Sequence, residues 1–340
     1  IGKSYIIRDV GTELYDNYVE INFVEDDAGD KIFRNVRTTE EFYLNLSMVA
    51  GFKLDKYENT LVFIDEIQHY PQFLTMLKFL RQEHRYRFIC SGSLLGIALK
   101  KTVSVPVGSI IPKKMYQLDF EEFLIANDFG EDAIVHLRKS FEQKQPLAPE
   151  VHDKVLSLFK RYLLVGGMPD AVNEYLNSHN IVKVREAQES IRELYGVDAS
   201  RYEEDAAKKL YIRRIYDMIP SQMENKKKRI VAKDILDRKG DRFSNYMEEF
   251  EYLINSGITI PSHAISNPKY PLAESQQKNL LKLYMNDVGM LTSQLYHYNI
   301  QPILNDIASI NLGSVYESAV AQELKAHYEK LFYYDNKQKG

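Results

Sequence analysis

Residues 60–64 form an unbroken run of apolar and β-branched side chains, and two acids follow it, Asp65 and Glu66. A run of this length without polar alternation predicts a strand buried on both faces, as in a parallel sheet. Helices and strands alternate around it. Residues 5–10 have helix-like spacing, and residues 18–23 alternate apolar with polar as a strand does. Residues 38–50 read as a helix with Thr39 as its cap ahead of Glu40 and Glu41. Leu74, Leu77 and Leu80 share one face of a helix over 74–83, residues 87–90 form another buried strand, and residues 114–118 a further one. Strands alternating with helices predict a doubly wound parallel sheet.

The second half changes character. Residues 143–149 are polar and bounded by proline, which predicts a linker. Residues 151–164 place Val155, Leu158, Phe159 and Tyr162 at helical spacing, and the turn Gly166-Gly167-Met168-Pro169 ends that helix. Residues 181–219 are helix-rich. Residues 230–236 and 244–255 predict two further helices around a turn at Gly240-Asp241, and residues 258–260 with 264–265 predict a small hairpin. Helix, turn, helix and hairpin is a winged-helix layout. Strands are expected at 280–284 and 331–334, with a helix over 318–327 between them.

Composition narrows the class. Hydrophobic content of 44% with 27% charged residues is that of a globular chain rather than a disordered one. One cysteine, Cys90, excludes an internal disulfide framework and fits a reducing cytoplasm, the expected location. No apolar run is long enough to span a bilayer, so no membrane partner is expected. The net charge of −4 does not by itself point to nucleic acid, yet residues 201–242 carry 13 basic against 8 acidic residues. Lys226, Lys227, Lys228 and Arg229 lie within that stretch. They have two readings: phosphate contacts to double-stranded DNA, or a solvated loop on a packing module.

Two acids at the exit of a buried strand need a partner, because an unpaired buried charge is costly. One reading is a strand end followed by an acidic helix start. The other is a magnesium-bound phosphate, with Asp65 orienting the metal and Glu66 polarising the attacking water. Gly2-Lys3-Ser4 ahead of a helix favours the second, since it reads as the tail of a Walker A loop. Backbone amides at the helix start would face phosphate, Lys3 would reach it, and the Ser4 hydroxyl would ligate Mg2+. Ser91-Gly92-Ser93 ends the strand over 87–90. Either serine is a candidate for sensing the terminal phosphate, and a plain strand-to-helix turn is the alternative.

Asp65-Glu66-Ile67-Gln68, Ser91-Gly92-Ser93-Leu94-Leu95-Gly96, Pro106-Val107-Gly108 and Phe120-Glu121-Glu122-Phe123-Leu124 resemble, in order and spacing, one family. It is the prokaryotic AAA-domain P-loop ATPases that carry a C-terminal domain of unknown function. The resemblance implies an α/β P-loop NTPase core over residues 1–142, with an AAA-type parallel sheet and flanking helices. A helical lid over 150–200, a winged helix over 201–275 and the start of an α/β nuclease-like domain over 276–340 would follow. Glu317 would match that domain's helix glutamate, and its remaining acids would lie beyond Gly340. The chain is thus expected to be part of a longer protein. The implied activity is Mg-dependent ATP hydrolysis coupled to the C-terminal domains, with a protein partner or a second copy completing the site. A nucleotide-gated DNA-binding switch and an ATPase-regulated nuclease are the alternatives.

Overall fold

In the computed structural model the described residues are 2–51, 54, 59–92, 108–202, 205–225, 229–236, 240, 242–305, 312–328 and 330–334. They divide into two compact units, Ile1–Met115 and Tyr116–Gly340.

The first unit runs α1 (Lys3–Leu14), β1 (Asn17–Asn22), α2 (Phe23–Ala28), α3 (Thr39–Ala50), β2 (Thr60–Asp65), α4 (Gln72–Glu83) and β3 (Arg87–Cys90). Its strands form a parallel sheet in the order β1-β2-β3, with Asn22 opposite Asp65 and Ile64 opposite Cys90. All six residues of β2 are buried, which is why its sequence shows no alternation. Phe23, Phe33, Phe42 and Phe73 fill one side of the core, with the Phe23 and Phe73 rings 4.6 Å apart. The cap of α3 is Thr38 rather than Thr39. Thr38 is extended and accepts from the Glu41 amide at 3.2 Å, while the Glu41 carboxylate accepts from the Thr38 amide at 3.3 Å. That reciprocal pair satisfies two helix-end donors at once.

The expected strand over 114–118 is irregular chain. Its backbone is used elsewhere: the Leu118 amide donates to the Gly167 carbonyl at 2.8 Å, and the Leu118 carbonyl accepts from the Tyr162 hydroxyl at 2.9 Å.

The second unit starts with α5 (Phe120–Ala126), α6 (Glu131–Glu142), α7 (Pro149–Val165), α8 (Pro169–Ser178), α9 (Ile181–Tyr202), α10 (Ala206–Glu224), α11 (Lys233–Leu236) and α12 (Met247–Asn255). It continues with β4 (Thr259–Ile265), β5 (Gln276–Met285), α13 (Val288–Tyr296), α14 (Gln301–Leu304), α15 (Gly313–His327) and β6 (Leu331–Tyr334). The expected hairpin over 258–265 is one strand. β4 pairs antiparallel with β5 and parallel with β6, and its register shifts between His263 and Ile265. One apolar core, including Phe123, Tyr162, Ile215, Phe250, Leu283 and Val315, runs through the unit. The stretches read as lid, winged helix and nuclease start therefore share a single core.

Asp287 is the polar centre of that core. It is fully buried, caps α13 through the Met290 amide at 3.0 Å, and accepts from the Gly167 amide at 2.7 Å. This explains the glycine pair at the end of α7. Gly166 has φ +74, and a Cβ there would collide with the Asp287 carboxylate; a Cβ on Gly167 would collide with the Leu118 carbonyl. Burial outweighs the amide donors and pushes the Asp287 carboxyl up to about 6.

The folded state thus keeps a proton on Asp287 up to about pH 6, whereas the unfolded chain releases it near the ordinary value of about 3.9. The folded state binds more protons between these values, so stability falls as pH rises through them. Relative to Asp287→Asn, the wild type is expected to lose on the order of 2–3 kcal/mol of unfolding free energy between pH 4 and 7. Denaturant unfolding of both proteins across that range checks it, and parallel pH curves would sink it.

Candidate nucleotide site

The site lies at the carboxyl end of β2, where ligands sit in open α/β sheets. Asp65 is the last residue of β2 and is 7% exposed. The Ser4 hydroxyl donates to its Oδ2 at 2.9 Å, across 61 residues of sequence. The Ser91 hydroxyl donates to its Oδ1, and the Glu66 amide donates to the same oxygen at 3.0 Å. Three donors thus reach one carboxylate, which is what a buried charge requires.

Each donor is delivered by its own element. Gly2 stands at φ +69, a left-handed turn that glycine adopts freely, and α1 starts at Lys3 immediately after it. α1 is held on β1 by a two-pronged contact, the Arg8 guanidinium donating to both Glu20 oxygens at 2.9 and 2.7 Å. The Tyr18 hydroxyl donates to Glu20 at 2.8 Å. Arg8 holds the Glu20 carboxyl below its ordinary range. Gly11 allows the close approach, since a Cβ there would strike the Tyr18 ring. Ser91 follows β3 and extends its pairing: its amide donates to the Ile64 carbonyl at 2.9 Å, and its carbonyl accepts from the Ile67 amide at 3.0 Å.

Glu66 is half-buried and stands at φ 52, ψ 43, a left-handed conformation that costs a non-glycine residue about 1–2 kcal/mol. A single 3-10 turn, Ile67–His69, follows it. Gln68 in that turn donates from Nε2 to the Glu66 carboxylate. His69 meets Asp27 at 3.2 Å, and the Tyr70 hydroxyl donates to Asp26 at 2.9 Å. The contact with His69 holds the Asp27 carboxyl below its ordinary range.

The structure therefore brings together Gly2, Lys3, Ser4, Asp65, Glu66 and Ser91. Ser91 turns its hydroxyl onto Asp65. Ser93, Lys226, Lys227 and Lys228 lie outside the described residues, and Arg229 is a half-buried residue of the second unit. Glu317, also in the second unit, accepts from Lys282 Nζ and the Tyr284 hydroxyl, each at 2.7 Å. Sequence reasoning missed the roles of Arg8, Gly11, Glu20 and Gln68. Only Gln68 left a signal, its place two residues after the second acid.

Residues 1–124 match the family model of an AAA domain. Residues 156–298 match a domain of unknown function (DUF8612). The first match supports an AAA-type domain at the N-terminus, and the unit with its parallel three-stranded sheet fits a P-loop-like domain. No curated protein and no solved structure matches the chain. Among the described residues no group of three His, Cys, Asp or Glu side chains could hold a metal, and no helix is long and apolar enough to cross a membrane.

Ser91→Ala removes a donor from a buried carboxylate. Unfolding of the first unit is expected to lose about 1–3 kcal/mol. Urea titration checks this, and an unmoved midpoint would mean that Ser91 does not support Asp65.

Proposed function

We propose that the first unit binds ATP with Mg2+ and hydrolyses it. The observation that carries this reading is the 2.9 Å contact between Ser4 and Asp65 at the carboxyl edge of the sheet. A hydroxyl at a helix start and a carboxylate at a buried strand end are the two protein ligands that a phosphate-bound Mg2+ uses, its other positions going to phosphate and water. The donor set fits the ion: both are hard oxygen groups and already adjacent. Bound Mg2+ would supply charge neutralisation on the phosphates.

The chain's own residues supply the rest. Free amides at the start of α1 and its dipole favour an anion. Lys3 stands at that start, where the same dipole disfavours a cation, and no ion pair offsets it among the described residues. A bound phosphate would supply the counter-charge. Glu66 would orient the attacking water and accept its proton. Such a site works by placement and electrostatics, so turnover is expected to stay slow until a partner or second copy completes it.

In the second unit, α10, α11, α12, β4 and β5 follow the order of a winged helix, with the Ile230 amide donating to the Leu281 carbonyl at 3.1 Å beside the sheet. This order favours a DNA-responsive ATPase over a plain one, and ATP turnover with and without duplex DNA separates the two. A regulated nuclease has no observation that favours it.

Two substitutions test the site. Lys3→Ala is expected to weaken binding of a fluorescent ATP analogue by about tenfold or more; an unaltered affinity would mean Gly2-Lys3-Ser4 is no phosphate loop. Glu66→Gln is expected to keep nucleotide affinity and cut turnover by at least about 10²-fold. Unchanged turnover would remove Glu66 from the mechanism.

A further inference from the structure

Gln68 occupies an unusual position. Its Nε2 donates to the Glu66 carboxylate, which fixes the orientation of the amide, because the flipped form would set oxygen against oxygen. The carbonyl Oε1 is then buried and has no hydrogen-bond partner among the described residues. A buried acceptor without a donor is costly, and such exceptions need an explanation.

The backbone around it has little freedom. The Ile67 amide is tied to the Ser91 carbonyl at 3.0 Å, His69 to Asp27 at 3.2 Å and the Tyr70 hydroxyl to Asp26 at 2.9 Å. With the turn pinned on three sides, the Glu66 carboxylate is placed by its own side-chain torsions and by what touches it. Gln68 touches it.

We propose that Gln68 is a positioning residue: its amide nitrogen holds the Glu66 carboxylate and its carbonyl oxygen accepts a hydrogen from the water that Glu66 activates. This rests on the reading of the first unit as an ATP-hydrolysing site. In that reaction the water oxygen bonds the terminal phosphorus, the phosphoanhydride bond breaks, ADP leaves and one water proton passes to Glu66. The base accepts only one of the two hydrogens. A second acceptor fixes the direction of the oxygen lone pair, which in-line attack requires. The acceptor without a donor, two residues from the base, is the group of the right kind in the right turn.

The test uses the whole chain and Gln68→Met, which keeps the length of the side chain and removes both the donor and the acceptor. Binding of ADP alone is compared with binding of ADP plus aluminium fluoride, a mimic of the phosphoryl group in transfer. The variant is expected to bind ADP like the wild type, to lose about tenfold or more of the fluoride-dependent tightening, and to lose kcat by a similar factor at constant KM. Its melting temperature is expected to hold or rise, since an orphaned acceptor is gone. Unchanged fluoride tightening and kcat would overturn the assignment, as would a lowered melting temperature with intact tightening, which marks a structural residue. Faster turnover would overturn it too, because Gln68 would then restrain Glu66. So would a wild type that binds ADP but gains nothing from fluoride. ADP binding indifferent to Lys3→Ala strikes the nucleotide reading itself, whereas binding that needs Lys3 but a site indifferent to Gln68 strikes this inference alone.

Discussion

A carboxylate buried at the end of the central strand constrains the first unit more than any other group. Asp65 is ionisable, 7% exposed and placed where β2 runs out. Leaving it without donors would cost several kcal/mol, a large fraction of the stability of a domain. Three elements answer it. α1 brings the Ser4 hydroxyl, the residue after β3 brings the Ser91 hydroxyl, and the turn after β2 brings the Glu66 amide. Satisfying one charge therefore brings the start of the chain, the end of β3 and the candidate base to the same point. The Arg8–Glu20 contact and Gly11 are consequences one step out, since they let α1 lie close enough to β1 for Ser4 to reach.

The second unit contains a parallel case with a different outcome. Asp287 is as buried as Asp65, yet its donors are backbone amides of Gly167 and Met290. Those amides belong to the end of one helix and the start of another, so they cannot turn away without moving the fold. The surroundings are moulded to match, with glycine at 166 and 167 because any side chain would collide. Two of the three donors to Asp65 are hydroxyls, which rotate about a single bond at little cost. A carboxylate held by hydroxyls can exchange a partner for a cation. One held by amides serves as a rivet.

The difference also governs what could be read from the chain. β2 was legible because both of its faces are buried, which leaves an unbroken apolar run. The Gly-Lys-Ser and Asp-Glu stretches stand out locally in the sequence, and the Ser4–Asp65 contact joins them across 61 residues. Three features were not legible. Residues 258–265 look like two short strands because Pro261, Ser262 and His263 interrupt the apolar residues, although the strand continues through them in register with β5. Residues 114–118 have the pattern of a strand, but a distant glycine, Gly167, takes the Leu118 amide. The three stretches of the second unit look separable by charge and turn residues, yet they share a core whose members are spread from Phe123 to Ala321. Thr38 was missed for Thr39 by one residue, although Glu41, three residues after Thr38, is the sequence mark of that capping pair.

Glu66 shows how that scaffold bears on chemistry. A left-handed glutamate persists only where its surroundings over-determine it. Here the backbone on one side belongs to β2, and on the other the Ile67 amide is held by Ser91. The Glu66 amide is committed to Asp65, so the direction in which the side chain leaves the backbone is tied to that buried carboxylate. Were Glu66 extended, the strand would continue and its carboxylate would point to one face of the sheet. The left-handed turn instead ends the strand at Asp65. A glycine would adopt that turn more cheaply but carries no carboxylate. The strain is the cost of turning the chain directly after a buried carboxylate with a glutamate at the turn.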